Sequence, residues 1–203
     1  MPTLVLIRHA AHDLLGRTLV GRAPEVRLST AGAHEAEALA ERLAGSAVRA
    51  LYSSPRERAR DTAAPIAARL GVPVEIAPEL DEIDFGDWTN RAFAELDELE
   101  PWRRFNRFRS GTPCPNGESA LDVQARFLRL VERLSTTHAE HWVALVSHGD
   151  VIRAALAHYL GIHLDLFQRL EISPASVSIL RVGPYGPEVL LVNGGAESRL
   201  LQS

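Results

Sequence analysis

Apolar residues along the chain fall into two patterns, short continuous runs and longer stretches with the three-to-four-residue spacing of an amphipathic helix. The short runs predict strands at residues 4–7, 48–52, 74–77 and 142–146, and the first of these is expected to be buried. The spaced stretches predict helices at 30–45, 55–70, 117–136 and 150–160. Two β-rich segments, 176–182 and 188–192, close the chain around a turn at 183–187. Strands that alternate with helices predict an α/β fold, a three-layer α/β/α sandwich with a mostly parallel central sheet.

Residues 78–117 break this alternation. The segment is acidic, aromatic and arginine-rich, and it carries only short helical patches around 91–99 and 102–108. The chain contains no internal repeat, no low-complexity tract and no linker that would divide it. We therefore expect a single domain spanning residues 1–203, with a helical lid insertion at about 78–117.

Composition narrows the classes of partner. The 203 residues are 46% hydrophobic, enough for a substantial core, and the formal net charge of −4 provides no basic field for nucleic acid. No apolar stretch is long enough to cross a bilayer, and the first apolar run is too short for a signal peptide. The single cysteine, Cys114, excludes an intramolecular disulfide. We expect a cytoplasmic protein with neither a nucleic-acid nor a membrane partner.

Polar side chains collect where the predicted strands end. Because the carboxyl ends of parallel strands meet at one edge of a sheet, they are expected to converge there. The residues in question are Arg8, His9, Ser53, Ser54, Arg56, Arg58, Asp81, Glu82, Ser147, His148 and Gly149. Taken singly, each has an ordinary explanation: a histidine at a strand end is more often structural, and charged residues usually face solvent. Their common position favours a site.

This set of residues suits a phosphate dianion. Guanidinium groups match phosphate oxygens in pairs, and the amides of a helix that begins beyond Gly149 add further donors. A histidine can attack phosphorus, and a nearby carboxylic acid can protonate the leaving oxygen.

Five segments of the sequence, in order, resemble motifs of the histidine phosphatase superfamily, also called the phosphoglycerate mutase-like family. They are LIRH at 6–9, SSPRERARDTA at 53–63, LDEIDFGDW at 80–88, PNGES at 115–119 and VSHGDVIR at 146–153. One such motif would be weak evidence. Five motifs in the family's order are strong evidence, and together they cover nearly the whole chain.

The resemblance implies a mechanism that requires no metal or other cofactor. His9 would attack phosphorus and form a phosphohistidine, while Arg8, Arg58 and His148 hold the phosphoryl oxygens. Glu82 would protonate the leaving alcohol and then take a proton from the hydrolytic water. Nearby cations are expected to keep His9 unprotonated, and Glu82 is expected to have a raised pKa.

The opening motif departs from the family pattern, which usually continues with Gly, an acidic or amide residue, and Thr or Ser. Here Ala10, Ala11 and His12 follow the histidine. His12 could donate to phosphate in place of the hydroxyl, or it could point elsewhere, and the sequence favours neither. Arg17 could supply another phosphate contact or face solvent.

The sequence lacks the residues that other phosphatase chemistries require. A cysteine phosphatase needs Cys-x5-Arg, yet the sixth residue after Cys114 is Ala120. No Asp-x-Asp motif follows the first strand, and no Walker loop is present. The histidine pair His138 and His141 has no evident cage of other ligands and is interpreted as a solvated helix end, not a metal site.

Substrate choice is expected to depend on residues 91–118. Residues 102–105, Trp-Arg-Arg-Phe, resemble a mutase stretch that holds phosphoglycerate, so Arg103 and Arg104 could bind a second anionic group. The alternative is a surface helix whose arginines pair with nearby glutamates. Because the insertion is short, hydrolysis of a small phosphorylated metabolite is favoured over a mutase reaction.

A phosphate-binding module without turnover is a further alternative. It is kept open by the altered opening motif, but binding alone would not require both a nucleophile and a proton donor. The oligomeric state also stays open, because the apolar residues near the end of the chain fit either a homodimer edge or an ordinary core. They are Leu190, Leu191, Leu200 and Leu201.

Overall fold

The computed structural model describes residues 2–183 and 185–195. Over these residues the strands are β1 (Thr3–Arg8), β2 (Thr18–Leu19), β3 (Val48–Ser53), β4 (Val74–Ile76), β5 (Arg91–Ala92), β6 (Trp142–Ser147), β7 (Val177–Gly183) and β8 (Gly186–Gly194). The α-helices are α1 (Thr30–Leu43), α2 (Glu57–Leu70), α3 (Phe93–Leu96), α4 (Glu100–Arg107), α5 (Ala120–Thr137) and α6 (Gly149–Leu160). Short 3₁₀ helices cover Pro78–Leu80, Gly86–Trp88 and Leu164–Arg169.

The central sheet has the strand order β4-β3-β6-β1-β7-β8. Strands β4, β3, β6 and β1 run parallel, whereas β7 and β8 are antiparallel to their neighbours. The strand ends that carry the candidate residues, those of β1, β3 and β6, are therefore adjacent and point the same way. The predicted mostly parallel sheet is confirmed, and its antiparallel edge is the hairpin that closes the chain.

Side chains of β1 alternate between two hydrophobic clusters. Val5 and Ile7 pack with α1 and α2 on one face, and Leu4 and Leu6 pack with α5 and α6 on the other. A fully buried side chain of this kind contributes about 2 kcal/mol. Both faces of the sheet are thus covered by helices, which gives the predicted three layers.

Helix ends follow local side-chain chemistry. The hydroxyl of Ser29 accepts a hydrogen bond from the amide of Gly32 and caps α1, and Ser119 forms a reciprocal capping box with Asp122 at the start of α5. Helix α2 begins at Glu57, not at Pro55 as predicted, because Arg56 still has extended backbone angles and serves as the N-cap. Gly71 ends this helix in the left-handed conformation, at φ 67°.

The segment from residue 78 to residue 117 contains the two helical patches expected there, as α3 and α4. Aromatic rings from this segment pack against one another with centroids 5.3–6.4 Å apart: Phe85, Trp88, Phe93, Trp102 and Phe105. The packing attaches the segment to the larger core cluster. Its action as a lid within a single domain stays a prediction.

Two surface features bear on the partners that the sequence left open. Across the described ranges, no helix is both long and apolar enough to span a membrane. Leu190 is exposed and Leu191 packs against the core, whereas Leu200 and Leu201 lie outside the described residues. The homodimer stays a prediction.

Candidate active site

A cavity of about 490 Å³ opens at the carboxyl ends of β1, β3 and β6. Its wall contains the side chains predicted to carry the chemistry, namely Arg8, His9, His12, Arg58 and Glu82, together with Gly149. His148 lies directly behind this wall, with its ring centroid 5.1 Å from that of His9. Residues from four separate stretches of the chain therefore meet in one small volume.

His9 follows β1 and is buried. Its Nδ1 donates to the backbone oxygen of Ala10 at 2.8 Å, and its Nε2 accepts from Nε of Arg58 at 3.3 Å. Burial, followed by the charges of Arg58 and Arg8, lowers the pKa of His9 well below its ordinary value. The ring is therefore neutral, with the lone pair on Nε2.

The alanine in place of the usual glycine is accommodated without backbone strain. Ala10 is fully buried, and it is not among the residues with positive φ. Its amide donates to the hydroxyl of Thr62 at 3.0 Å, which ties the loop after β1 to α2. The additional methyl group thus packs inside the protein at a conformation that any residue can adopt.

Arg58 lies in the first turn of α2 and is fully buried. Its Nη2 donates to the backbone oxygen of Gly21 at 2.8 Å and to Nδ1 of His148 at 3.1 Å. Its Nη1 has no hydrogen-bond partner among the described residues. A buried cationic donor without a partner is costly, and an anion in the cavity would remove that cost.

Arg8 is the second guanidinium from the end of β1. Its Nη1 donates to the backbone oxygen of Ile172 at 2.5 Å, and its Nε has no partner in the described part of the chain. Burial and the nearby charge of Arg153 lower its pKa, although the group remains a cation. A Cβ atom added to Gly149 would lie 3.4 Å from this Nε, so the start of α6 packs directly against the guanidinium.

His148 directly follows β6 and is the N-cap of α6. Its Nε2 and the hydroxyl of Ser54 are 2.7 Å apart, and its Nδ1 is 3.8 Å from Oε2 of Glu82. Burial lowers its pKa well below the ordinary value, and the charge of Arg58 lowers it further. The ring is neutral in the absence of an anion.

Glu82 supplies the carboxyl group of the site. Burial, reinforced by the carboxylate of Asp150, raises its pKa from 4.5 to about 7, against the opposing effect of Arg58. Its Oε1 accepts a hydrogen bond from the amide of Ile83 at 2.9 Å. Near neutral pH this group can therefore both give and take a proton.

His12 faces the cavity and does not point elsewhere. It is 6% exposed, its ring centroid is 5.5 Å from that of His9, and its Nδ1 lacks a hydrogen-bond partner within the described ranges. Burial and the charges of Arg58 and Arg8 lower its pKa to about 4. Of the two placements that the sequence left open, the structure shows the one beside the phosphate-binding candidates.

Three arginines suggested as substrate contacts lie outside the cavity wall. Arg17 is exposed, and so are Arg103 and Arg104. Arg103 donates to the backbone oxygen of Asp97, because the periodicity of α4 turns Trp102 and Phe105 inward and both arginines outward. Of the placements that the sequence left open, the structure shows all three arginines outside the cavity wall, and a direct contact with the ligand stays a prediction.

Two other arginines line the cavity in their place. Arg109 is buried between the rings of Phe105 and Phe167, and its Nη1 donates to Oδ2 of Asp150 at 2.8 Å. Arg153 donates to the other oxygen of the same carboxylate at 3.1 Å. Arg153 belongs to the segment at 146–153 and could have been found there, whereas no sequence signal distinguished Arg109.

The structure also places Cys114 and His138, the residues weighed for cysteine and metal chemistry. Cys114 is buried, and burial raises its pKa to about 12. His138 lies with its Nε2 2.8 Å from the hydroxyl of Tyr52. Among residues 2–183 and 185–195, no cluster of three or more histidine, cysteine or acidic side chains could hold a metal ion.

Comparison with known proteins shows what the chain is similar to. The family model of the histidine phosphatase superfamily (branch 1) matches residues 4–194. Glucosyl-3-phosphoglycerate phosphatase of Mycolicibacterium vanbaalenii is 34% identical over 171 residues, which cover 80% of this chain and 76% of that protein. A bifunctional protein of Mycobacterium tuberculosis is also 34% identical, but this chain spans only 53% of its length.

Solved structures give the same result. The mycobacterial glucosyl-3-phosphoglycerate phosphatase superposes with a TM-score of 0.86 at 27% sequence identity. The match covers 95% of this chain and 99% of that one, so the two chains share the same overall fold.

Proposed function

Because the chain belongs to the histidine phosphatase superfamily, we propose that it hydrolyses small phosphomonoesters through a phosphohistidine formed at His9, without a metal. The observation that carries this proposal is that one cavity holds both an unprotonated nucleophile and a carboxyl group that can supply a proton. His9 is neutral with its Nε2 lone pair available, and Glu82, at a pKa of about 7, can hold a proton near neutral pH.

The phosphoryl group would occupy the space that the cations surround. Two arginines of the cavity wall each have a buried nitrogen without a partner among the described residues: Nε of Arg8 and Nη1 of Arg58. Buried donors of this kind usually have an ion or water as their partner. They would stabilise negative charge on the phosphoryl oxygens in the transition state.

In the first step, Nε2 of His9 forms a bond to phosphorus as the bond to the leaving oxygen breaks. Glu82 gives its proton to that oxygen, so the product leaves as a neutral alcohol. The hydrogen bond from Nδ1 to the backbone oxygen of Ala10 fixes the ring and stabilises the charge it gains.

In the second step, a water molecule attacks phosphorus and the bond to Nε2 breaks. The carboxylate of Glu82 takes the proton of the water, which restores the starting state of both residues. Arg8, Arg58 and His148 hold the phosphoryl oxygens through both steps.

The substrate class is a small phosphorylated metabolite with a hydroxyl-bearing or acidic leaving group. Support comes from relatives named for glucosyl-3-phosphoglycerate. It also comes from the cavity, whose wall has an outer part beyond the residues expected to bind phosphate. That outer part combines apolar Phe93 and Trp102 with the polar group of Arg109, Asp150 and Arg153.

The first experiment measures hydrolysis of an aryl phosphate in excess EDTA by the unmodified protein and by His9→Ala. The matched control is His34→Ala, because His34 is an exposed histidine on α1. We expect turnover in EDTA that is lost in His9→Ala and kept in His34→Ala. EDTA-sensitive turnover that survives His9→Ala contradicts the mechanism, and phosphate binding without turnover would favour a non-catalytic module or a mutase.

A further inference from the structure

Asp81 is a buried carboxylate that the mechanism above does not use. It is 7% exposed and precedes Glu82, yet it does not line the cavity. Its Oδ1 accepts from the amide of Glu82 at 2.8 Å and lies 3.0 Å from Nε of Arg56, while its Oδ2 lies 3.5 Å from Nε of Arg22. Two arginines and an amide therefore hold it in place as an anion.

A hydrogen-bond chain links this carboxylate to the cavity. The hydroxyl of Ser54 lies between Nε2 of His148, at 2.7 Å, and Oδ1 of Asp81, at 3.4 Å. Ser54 and His148 are both fully buried. The amide of Arg56 also donates to this hydroxyl, at 3.3 Å.

The donor and acceptor roles fix the direction of the chain. An ionised carboxylate can only accept, so the single proton of Ser54 is directed to Asp81. The hydroxyl must then accept from His148, which places the ring proton on Nε2. Arg58 supports the same assignment, because its guanidinium can only donate and it contacts Nδ1 at 3.1 Å.

This tautomer has a consequence for anion binding. Nδ1 is the nitrogen on the side of Arg58 and Glu82, where the phosphoryl group would lie. An unprotonated Nδ1 would turn a lone pair toward phosphoryl oxygens and repel them. Protonated, the same nitrogen becomes a cationic donor while Nε2–H remains bonded to Ser54.

We propose that Asp81 is a positioning residue that acts through Ser54 on His148, so that phosphate binding brings one proton onto Nδ1 of His148. The proton comes from solvent and binds the Nδ1 lone pair as Arg58 shifts from the ring to the phosphoryl oxygens. The negative charge of Asp81 stabilises the imidazolium from behind. This inference rests on the phosphate site of the proposed function.

The charges around His148 favour proton uptake by its ring only when an anion is bound. In the free protein the ring is kept neutral by burial and by the positive charges of Arg58, Arg126 and Arg8. Glu82, 3.8 Å from Nδ1, is the acidic group on the cavity side. Two negative charges of phosphate would offset the arginines and move the pKa of His148 upward.

Long-range proton–nitrogen NMR of the histidine rings tests the inference, with inorganic phosphate as the ligand. In the free protein we expect a neutral His148 ring with the proton on Nε2, and in the complex a ring protonated at both nitrogens. Asp81→Asn allows the chain to reverse, since an amide can also donate. In that variant the ring should stay neutral with phosphate bound, and the Kd for phosphate at neutral pH should rise about tenfold.

Two further variants complete the design. Ser54→Ala removes the link without changing any charge and should have the same effect on the ring, which keeps the test valid if Asp81→Asn does not fold. Asp84→Asn is the matched control: its carboxylate lies 3.6 Å from Arg22 but makes no contact with Ser54. It should behave like the unmodified protein.

Three results would overturn the inference. They are a His148 ring that stays neutral in the phosphate complex, an imidazolium that persists in both Asp81→Asn and Ser54→Ala, and no binding of phosphate at all. If phosphate binds and the ring becomes protonated but no hydrolysis is detected, the relay stands and the proposed phosphatase function fails.

Discussion

Replacing Glu82 with glutamine tests whether the cavity disfavours a negative charge before substrate arrives. The side chain is 13% exposed, and burial together with Asp150 raises its pKa from 4.5 to about 7. The pKa of the folded state thus lies above that of the unfolded chain. The stability that this group contributes is complete below about pH 4.5 and is lost as the pH rises through 7.

The size of the expected change in stability follows from the pKa shift of Glu82. The difference between the two pKa values corresponds to about 3 kcal/mol of unfolding free energy at a pH above both. Glutamine is neutral at every pH and keeps the oxygen that accepts from the amide of Ile83. Glu82→Gln should therefore stabilise the protein by up to about 3 kcal/mol near pH 9 and by almost nothing near pH 4.

Urea unfolding at these two pH values measures the difference, with the exposed Glu37→Gln as a control that should change neither value. A stability gain of equal size at both pH values, or no gain near pH 9, would refute the electrostatic reasoning. In the same variant, hydrolysis of an alkyl phosphate should fall about 10²–10⁴-fold, because its leaving group needs the proton. An aryl phosphate should lose less.

Three further predictions concern Asp150, His12 and Gly86. Asp150→Asn removes a charge that raises the pKa of Glu82, so the basic limb of the pH–rate profile should move about 1 pH unit to the acid side, and an unmoved limb would contradict this. His12→Ala should weaken inhibition by inorganic phosphate about tenfold, whereas unchanged inhibition would mean that the ring makes no phosphate contact. Gly86→Ala, at φ +51° with the added Cβ 2.0 Å from a backbone oxygen, should cost more than about 2 kcal/mol in chemical denaturation. Gly45→Ala, at φ +74° with open space around it, should cost only about 1 kcal/mol, and equal losses would refute the packing argument.

The fold could be predicted from the sequence because short stretches of residues specify its strands and helices. The apolar runs at residues 4–7 and 142–146 each specify one strand through a single physical preference. Helix α2 shows the limit of this reasoning. A proline suits the first turn of a helix, but it also suits the residue just before the N-cap, and Pro55 takes that second position.

Part of the candidate site could be predicted from the sequence. His9, Arg58 and Glu82 meet in one cavity because parallel strands end at one edge, a rule that needs no knowledge of side-chain packing. The sequence left the orientation of Arg103 open and gave no signal for Arg109, because the orientation of each depends on how residues 78–117 pack. Arg109 turns inward between two aromatic rings, and that contact involves Phe167, which is distant in the chain.

The role of Asp81 was not visible in the sequence either. It lies in an acidic stretch with Glu82 and Asp84, where most carboxylates would face solvent. Its link to His148 through the hydroxyl of Ser54 appears only in the packed structure. Direction along a hydrogen-bond chain depends on three-dimensional contacts and not on residue spacing.

The central claim is that phosphate passes through His9, and rapid-quench trapping tests it most directly. The protein would be mixed with a phosphomonoester, quenched in alkali within the first turnover, digested and mapped by mass spectrometry. The account predicts phosphate on His9, up to one group per molecule, with none on His12 or His148. Steady hydrolysis without any phosphohistidine, or with the label on a different residue, would contradict it.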